Sequence, residues 1–534
     1  MTGRPRRELL IVVGFIAASS LFFLDKPFHM DEPLFLAPAR HIVVDPLHPF
    51  DFEFNWYGRS VPMASINNTP PLMLYALAAA WKLTAGREWA MRLMFVPANA
   101  LDAAALYLLA GLFLSEPLWP VLILIASPAY LINMNLLYPE TLALALGFLG
   151  LYALVRAEKE NRREFLWASA ALCGAAVFAK YGAVFLVPTA IFYLWRRGAP
   201  LKRIAGYAAV ALLPIAGYAA YDRLTYRSAL GSAWGALSQS ADMPYSRWSH
   251  KLRSMLAFTG GASPAAAVWP ALAFSRERRT IVVLAACSCI LFLPYFDLAP
   301  LVRPLDRATG VVLAFGALCA LTGVLTLRRG RAWDLWAPWI VSVLFVQAFL
   351  YWSVLARLIL FLLPPLIFAM AGELERRLKP GDLRRIYALT FSGALALSAA
   401  LSFVDARYAG AQRDLAARVA ARYPGRRLWC AGHWGLQYYL ERAGASELDL
   451  NKGGWDEVRP GDVVVVPAAN SNILRPNRKL LADVERITVD CPLPLRLLSA
   501  YTGEGGFYSS ATGFLPFSIS REPLDEFDVV EIAP

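Results

Sequence analysis

Between residues 25 and 59 the chain crowds ionisable groups into one stretch: Asp25, His29, Asp31, Glu32, Arg40, His41, Asp45, His48, Asp51, Glu53 and Arg59, with Trp56 and Tyr57 among them. Three of the five histidines fall here. A carboxylate in such a group can accept a hydrogen bond from a hydroxyl and take its proton as charge develops, which is general-base chemistry. Asp31 is the candidate. The apolar Leu34, Phe35, Pro38 and Ile42 that follow it predict a short amphipathic helix on a membrane surface, with Asp31 at its N-cap. Capping and base catalysis are compatible roles. A divalent metal held through His29, Asp31 or His48 stays open, although no established ligand spacing is present.

The elements that must position these groups follow from composition. With 57% hydrophobic and 17% charged residues over 534 positions, and a mean hydropathy of +0.45, the chain is too apolar for a soluble protein of its length. Long continuous apolar runs exclude a barrel and predict a polytopic α-helical membrane protein of about thirteen spans. The first is an uncleaved helix over 9–24. Spans follow near 89–114, 117–136, 137–155, 166–181, 183–195, 203–221, 256–274, 280–296, 308–327, 335–353, 355–371 and 385–404, the short pair around Lys180 being compatible with a broken or re-entrant arrangement. The net charge of +12 is carried by clusters between spans, which argues for topology and anionic headgroups as its cause and against nucleic acid as a partner. Basic loops at 156–163, 196–203, 276–279, 328–331 and 376–385 agree on one orientation, with the N-terminus inside.

This division predicts a membrane domain over 1–404 with a large first outer loop at 25–88, and an extracytoplasmic α/β domain over 405–534. In the latter, helical pattern at 406–422 and 434–442 alternates with strands at 427–430 and 463–466. Gly432-His433-Trp434-Gly435 reads as a strand-to-helix turn, either making the turn alone or touching an anionic group. The six cysteines form no CxxC or Cys/His spacing, and an oxidising compartment leaves a bond between Cys430 and Cys491 open.

The run Asp31-Glu32, Arg40 nine residues after the Asp, Pro70-Pro71-Leu72, and Glu88-Trp89-Ala90-Met91-Arg92-Leu93 resembles the first outer loop and second span of GT-C glycosyltransferases. The lipid A aminoarabinose transferases and protein O-mannosyltransferases are the most similar in pattern. The resemblance implies that Asp31 is the acid at the reaction centre, acting as base for an acceptor. It implies a second acidic position at Glu140, where the family usually has Asp, and an interfacial carboxylate accepting a hydrogen bond is an equal reading. It also matches Lys180 and Arg357 to family cations. The family's Lys before Pro-Pro is replaced here by Asn67-Asn68-Thr69.

Cations near span ends usually snorkel to headgroups. Arg92, Lys180 and Arg357, however, are placed on the outer side, where the positive-inside rule disfavours them. A lipid-linked phosphate that gains charge as it leaves would retain such cations, and Arg40 completes the candidate donor-phosphate set. Nucleotide sugars are cytoplasmic, so a centre outside calls for a sugar on a polyprenyl phosphate. The expected protein is a multi-pass glycosyltransferase of a bacterial-type cytoplasmic (inner) membrane, surrounded by membrane lipids and serving a lipid, glycan or protein acceptor. A lipid or polysaccharide transporter is the alternative, and would show ionisable groups within broken helices at mid-membrane.

Overall fold

Long apolar runs fold as helices because a helix satisfies its own backbone groups where no water is available. The computed structural model describes residues 4–67, 69–227, 243–273, 278–293, 302–326, 332–476, 481–499 and 503–532. Residue 68, residues 228–242 and most of the basic loops at 276–279 and 328–331 lie outside the described residues. Among the described residues five helices are long and apolar enough to cross a membrane: Glu88–Ala110, Pro139–Glu160, Leu201–Thr225, Pro304–Thr326 and Pro380–Arg422. With further, shorter apolar helices around them, the chain is a multi-pass helical membrane protein. The elements around the candidate site are α1 (Glu32–Val44), α2 (Glu88–Ala110), α3 (Pro139–Glu160), α4 (Arg163–Ala179), α5 (Ala356–Ile359), α6 (Pro380–Arg422) and α7 (Trp434–Arg442).

Several runs that read as single spans are broken, and proline accounts for the breaks. The 117–136 run divides into Leu118–Ile125 and Pro128–Met134, and the 256–274 run divides at Ser263 before Pro264–Ala273. The 355–371 run becomes α5 and Leu363–Arg377, with Pro364 and Pro365 in the first turn of the latter. Around Lys180, α4 ends, a 3₁₀ turn covers Tyr181–Phe185, and a new helix runs from Leu186 to Arg196.

The first loop is structured. Its α1 does not lie free on a surface: Glu32, Phe35, Leu36, Ala39 and Ile42 are buried, and it packs on Leu72–Thr84 and on α7. The strands β1 (Glu53–Asn55) and β2 (Ser60–Pro62) pair as an antiparallel hairpin. The hairpin docks onto the C-terminal region through Asn55 Nδ2 donating to Leu448 O at 2.9 Å and Ser60 N donating to Asp449 at 3.1 Å.

The predicted boundary at 404/405 falls inside one continuous helix. α6 has 43 residues, about 65 Å at 1.5 Å per residue, so the last apolar run extends without a break into the polar part of the chain. Beyond it lie β3 (Leu428–Cys430), β4 (Ser446–Glu447), β5 (Val463–Pro467), β6 (Leu481–Val489), β7 (Leu495–Arg496), β8 (Ser518–Ile519) and β9 (Asp525–Ile532). Five of these form a mixed sheet of order β4-β3-β5-β9-β6, in which β3 is parallel to β4 and β5, while β9 is antiparallel to β5 and β6. Val463 and Val465 face a core shared with Leu415 and Val419 of α6 and Leu436 and Leu440 of α7. Val464 and Val466 face the opposite side with Trp429 and Leu448. A strand covered on both faces is continuously apolar, which is why Val463 to Val466 carries no alternation. Cys430 and Cys491 are free thiols.

At Gly435 a Cβ would stand 2.5 Å from Phe28 O and 2.6 Å from Gln412 Oε1, so only glycine lets the first loop and α6 approach α7 this closely. The turn before it is a packing feature: the His433 N–H donates to Asn470 Oδ1 at 2.7 Å.

Candidate active site

Four of the predicted residues meet. Asp31 stands at the N-cap position of α1, but its carboxylate makes no capping bond; Arg357 Nη1 lies 2.9 Å from its Oδ2 instead. The Asp31 N–H faces the Tyr138 hydroxyl at 3.4 Å. Glu140 lies in the first turn of α3, its Oε1 3.4 Å from Arg357 Nε and 3.3 Å from Lys180 Nζ. The Arg357 guanidinium rests over the Tyr138 ring at 4.7 Å, and Lys180 over Phe35 at 5.9 Å.

Local folding explains why these charges tolerate burial. Glu140 sits where the positive end of the α3 dipole favours an anion, and Lys180 caps the C-terminus of α4, where the negative end favours a cation. Aromatic faces beneath both cations replace part of the lost hydration. Side-chain exposure orders the cluster: Asp31 is 30% exposed, Arg357 12%, Lys180 8% and Glu140 1%. The acid that can meet an incoming hydroxyl is therefore Asp31, with the cations directly behind it and Glu140 at the back. Two carboxylates face two cations, so the cluster is formally neutral.

Arg92 and Arg40 are placed elsewhere. Arg92 is buried and committed: it donates to Lys26 O at 2.9 Å, to Pro27 O at 3.0 Å, and to both Glu32 oxygens at 2.9 and 3.1 Å. Glu32 also accepts from the backbone N–H of His29 and of Leu137, each at 2.9 Å. Burial alone would raise the Glu32 carboxyl, and the adjacent Arg92 guanidinium turns the balance below its ordinary value. The anion that balances the Arg92 guanidinium is Glu32. Arg40 is exposed and stacks over Trp81 at 5.5 Å.

A second buried group went unread in the sequence. Asp405 of α6 accepts from Lys26 and from the Tyr508 hydroxyl, and its Oδ1 lies 3.5 Å from His29 Nε2. Burial pushes the His29 imidazole down, so the ring is held neutral. The signal was available as an acidic residue ending the apolar run of α6. His48 pairs with Asp45 at 2.9 Å, so His29, Asp31 and His48 have separate partners, and no metal-binding group of three is gathered among the described residues.

Residues 68–220, which include Arg92, Glu140 and Lys180, match the family described as dolichyl-phosphate-mannose-protein mannosyltransferase. The chain is similar to the GT-C membrane glycosyltransferases. The match spans less than a third of the sequence and includes neither Asp31 nor Arg357. Among solved structures, the chain overlaps ArnT from Cupriavidus metallidurans bound to undecaprenyl phosphate, at 16% identity and a TM-score of 0.43, covering 85% of this chain and 92% of that one. It overlaps the archaeal oligosaccharyltransferase AglB from Archaeoglobus fulgidus at 13% identity and a TM-score of 0.46, covering 83% and 64%. The Pmt1-Pmt2 complex of S. cerevisiae overlaps at 17% identity and a TM-score of 0.33, covering 43% and 34%. At these scores none of the three assigns a role to any residue. No curated protein matches significantly in sequence.

Proposed function

We propose that this protein is an inverting glycosyltransferase that moves a sugar from a polyprenyl phosphate to the hydroxyl of a lipid, glycan or protein acceptor. It would work at the outer face of a bacterial-type cytoplasmic membrane, crossed about thirteen times, with the N-terminus inside and residues beyond α6 outside. Accessibility of single introduced cysteines to an impermeant reagent checks that orientation: labelling at the N-terminus from outside would sink it.

The observation that carries the reading is Arg357 standing between the semi-exposed Asp31 and the buried Glu140. The donor phosphodiester brings one negative charge to a neutral cluster, so it must compete with Asp31 for Arg357. Once phosphate holds Arg357 and Lys180, the Asp31 carboxylate is free to accept the acceptor's hydroxyl proton. The acceptor oxygen then bonds to the anomeric carbon as the bond from that carbon to the phosphate oxygen breaks. The proton ends on Asp31, and the polyprenyl phosphate leaves with its added charge neutralised by Arg357 and Lys180. A single displacement inverts the anomeric centre. Glu140 is a positioning residue that keeps both cations aimed at one point.

The test uses proteoliposomes containing a panel of radiolabelled undecaprenyl phosphate hexoses and pentoses, with envelope extract as acceptor. Transfer should occur with the unmodified protein and disappear with Asp31→Asn in a protein that still folds. Movement of labelled lipid across the bilayer without transfer, indifferent to Asp31→Asn, would establish a transporter instead.

A further inference from the structure

Arg357 sits on α5, a helix of four residues, which is a single turn and cannot hold its own geometry. Residues 350–355 before it carry no helix, yet Ser353, Val354 and Ala356 are essentially inaccessible, so their backbone groups must find partners inside the protein. Those partners come from the far end of the chain. Ser510, fully buried, donates its N–H to Val354 O at 2.9 Å and accepts the Val354 N–H on its hydroxyl at 3.0 Å. Phe507 O accepts the Ala356 N–H at 3.1 Å, and the Ser509 hydroxyl donates to the Ser353 hydroxyl at 3.1 Å. Ser510 O is in turn held by His250 Nε2 at 2.7 Å.

The segment that makes these contacts is itself stiff. A Cβ on Gly506 would fall 2.0 Å from Gly513 O, and one on Gly513 would fall 2.2 Å from Glu504 O, so the loop closes on itself at backbone contact. Gly506 N donates to Leu515 O at 2.8 Å and Leu515 N to Glu504 O at 3.1 Å, which ties its two ends together. Phe507 packs within the main helical core, and Tyr508 bonds Asp405 on α6. The loop is thus anchored on two sides before it reaches α5.

We infer that the loop over 503–515 belongs to the catalytic unit, with Ser510 as the positioning residue that sets Arg357 against Asp31 and Glu140. Removing the hydroxyl leaves the Val354 N–H buried without a partner one turn before Arg357, and α5 is free to shift. The inference rests on the assignment of Arg357 to the donor phosphate made above, and its test separates the two.

The experiment is a double-mutant cycle on the full-length protein in detergent, read as affinity for undecaprenyl phosphate. Arg357→Gln should weaken binding, as the proposed function requires. Ser510→Ala should weaken it about tenfold when Arg357 is present, the scale of one disturbed hydrogen bond to a charge, and less than about twofold when Arg357→Gln is already in place. An equal loss in both backgrounds would make Ser510 a general stability residue and overturn the inference, as would no loss from Ser510→Ala while Arg357→Gln binds weakly. If Arg357→Gln itself binds normally, the functional assignment fails and the positioning role fails with it. Should Ser510→Ala not fold, Ser353→Ala breaks the same junction from the α5 side and is judged by the same cycle.

Discussion

Arg357 Nη1 lies 2.9 Å from Asp31 Oδ2, on side chains 326 positions apart, and among the described residues neither has a closer opposite charge. The same guanidinium reaches Glu140 at 3.4 Å. A planar fork can serve two carboxylates from two edges, and an ammonium, being a point charge, cannot. Arg357→Lys should therefore cut transfer of labelled sugar by at least about tenfold in a protein that still folds. Normal transfer by this variant would show that charge alone suffices and that the bridge is incidental.

Glu140 has no exposed route for its charge, and Lys180 and Arg357 both depend on it. Glu140→Gln leaves two largely buried cations short of a counter-ion, which costs about 3–5 kcal/mol when a buried pair is broken from one side. A clear drop in melting temperature in detergent is expected for Glu140→Gln and a smaller one for Glu140→Asp, which keeps the charge. Equal melting of Glu140→Gln and the unmodified protein would mean that water or lipid already screens the cations.

What the sequence could show was decided by range. Asp31 before an apolar helix is local, and the helix forms where its residues predict it. Glu140 and Lys180 were reached through family likeness, and their meeting depends on two helix ends converging, which no spacing encodes. Arg92 stands out in the sequence as a cation that calls for an anion, and in the structure that anion is Glu32, beside Asp31 in the same motif, so residue type is legible and partner is not. The break of the 355–371 run into α5 and its successor follows from Pro364 and Pro365 and was within reach. Ser510 was out of reach, because its contacts with Val354 are largely to backbone and cross 156 positions.

Because Arg92 is enclosed by Glu32 and by backbone carbonyls of the first loop, Arg92→Met should destabilise the fold by about 3–5 kcal/mol through the orphaned carboxylate. Arg40→Ala loses only an exposed contact with Trp81, about 0.5–1 kcal/mol, and should leave transfer intact. Comparison of melting and transfer for the two variants checks both assignments, and a transfer defect in well-folded Arg40→Ala would return Arg40 to the donor site.

Asp31 and Glu140 both spend their charge on Arg357, so a divalent cation entering between them would have to displace a guanidinium that already bridges them. Transfer should accordingly persist in excess EDTA, with rates within about twofold of those in added magnesium or manganese, since in the proposed mechanism Arg357 and Lys180 supply the electrophilic stabilisation. Loss of transfer on chelation, restored by metal, would show that Arg357 and Lys180 do not suffice to neutralise the leaving phosphate.

Gln437 Nε2 donates to Glu441 at 2.9 Å and to Glu447 at 2.6 Å, which brings two acids of α7 and β4 together. Burial, and then the neighbouring Glu441, push the Glu447 carboxyl from 4.5 up to about 10. Below 4.5 Glu447 is protonated in the folded and the unfolded chain and has no effect on stability. Between 4.5 and about 10 the unfolded chain has released the proton while the folded chain keeps it, so the folded state binds more protons and loses stability as pH rises. Glu447→Gln keeps a neutral donor toward Glu441 at every pH and removes this slope. The melting temperature of Glu447→Gln minus that of the unmodified protein should therefore be larger at pH 8 than at pH 5. A difference that does not change with pH would mean that Glu447 ionises in the folded protein as it does in the unfolded chain.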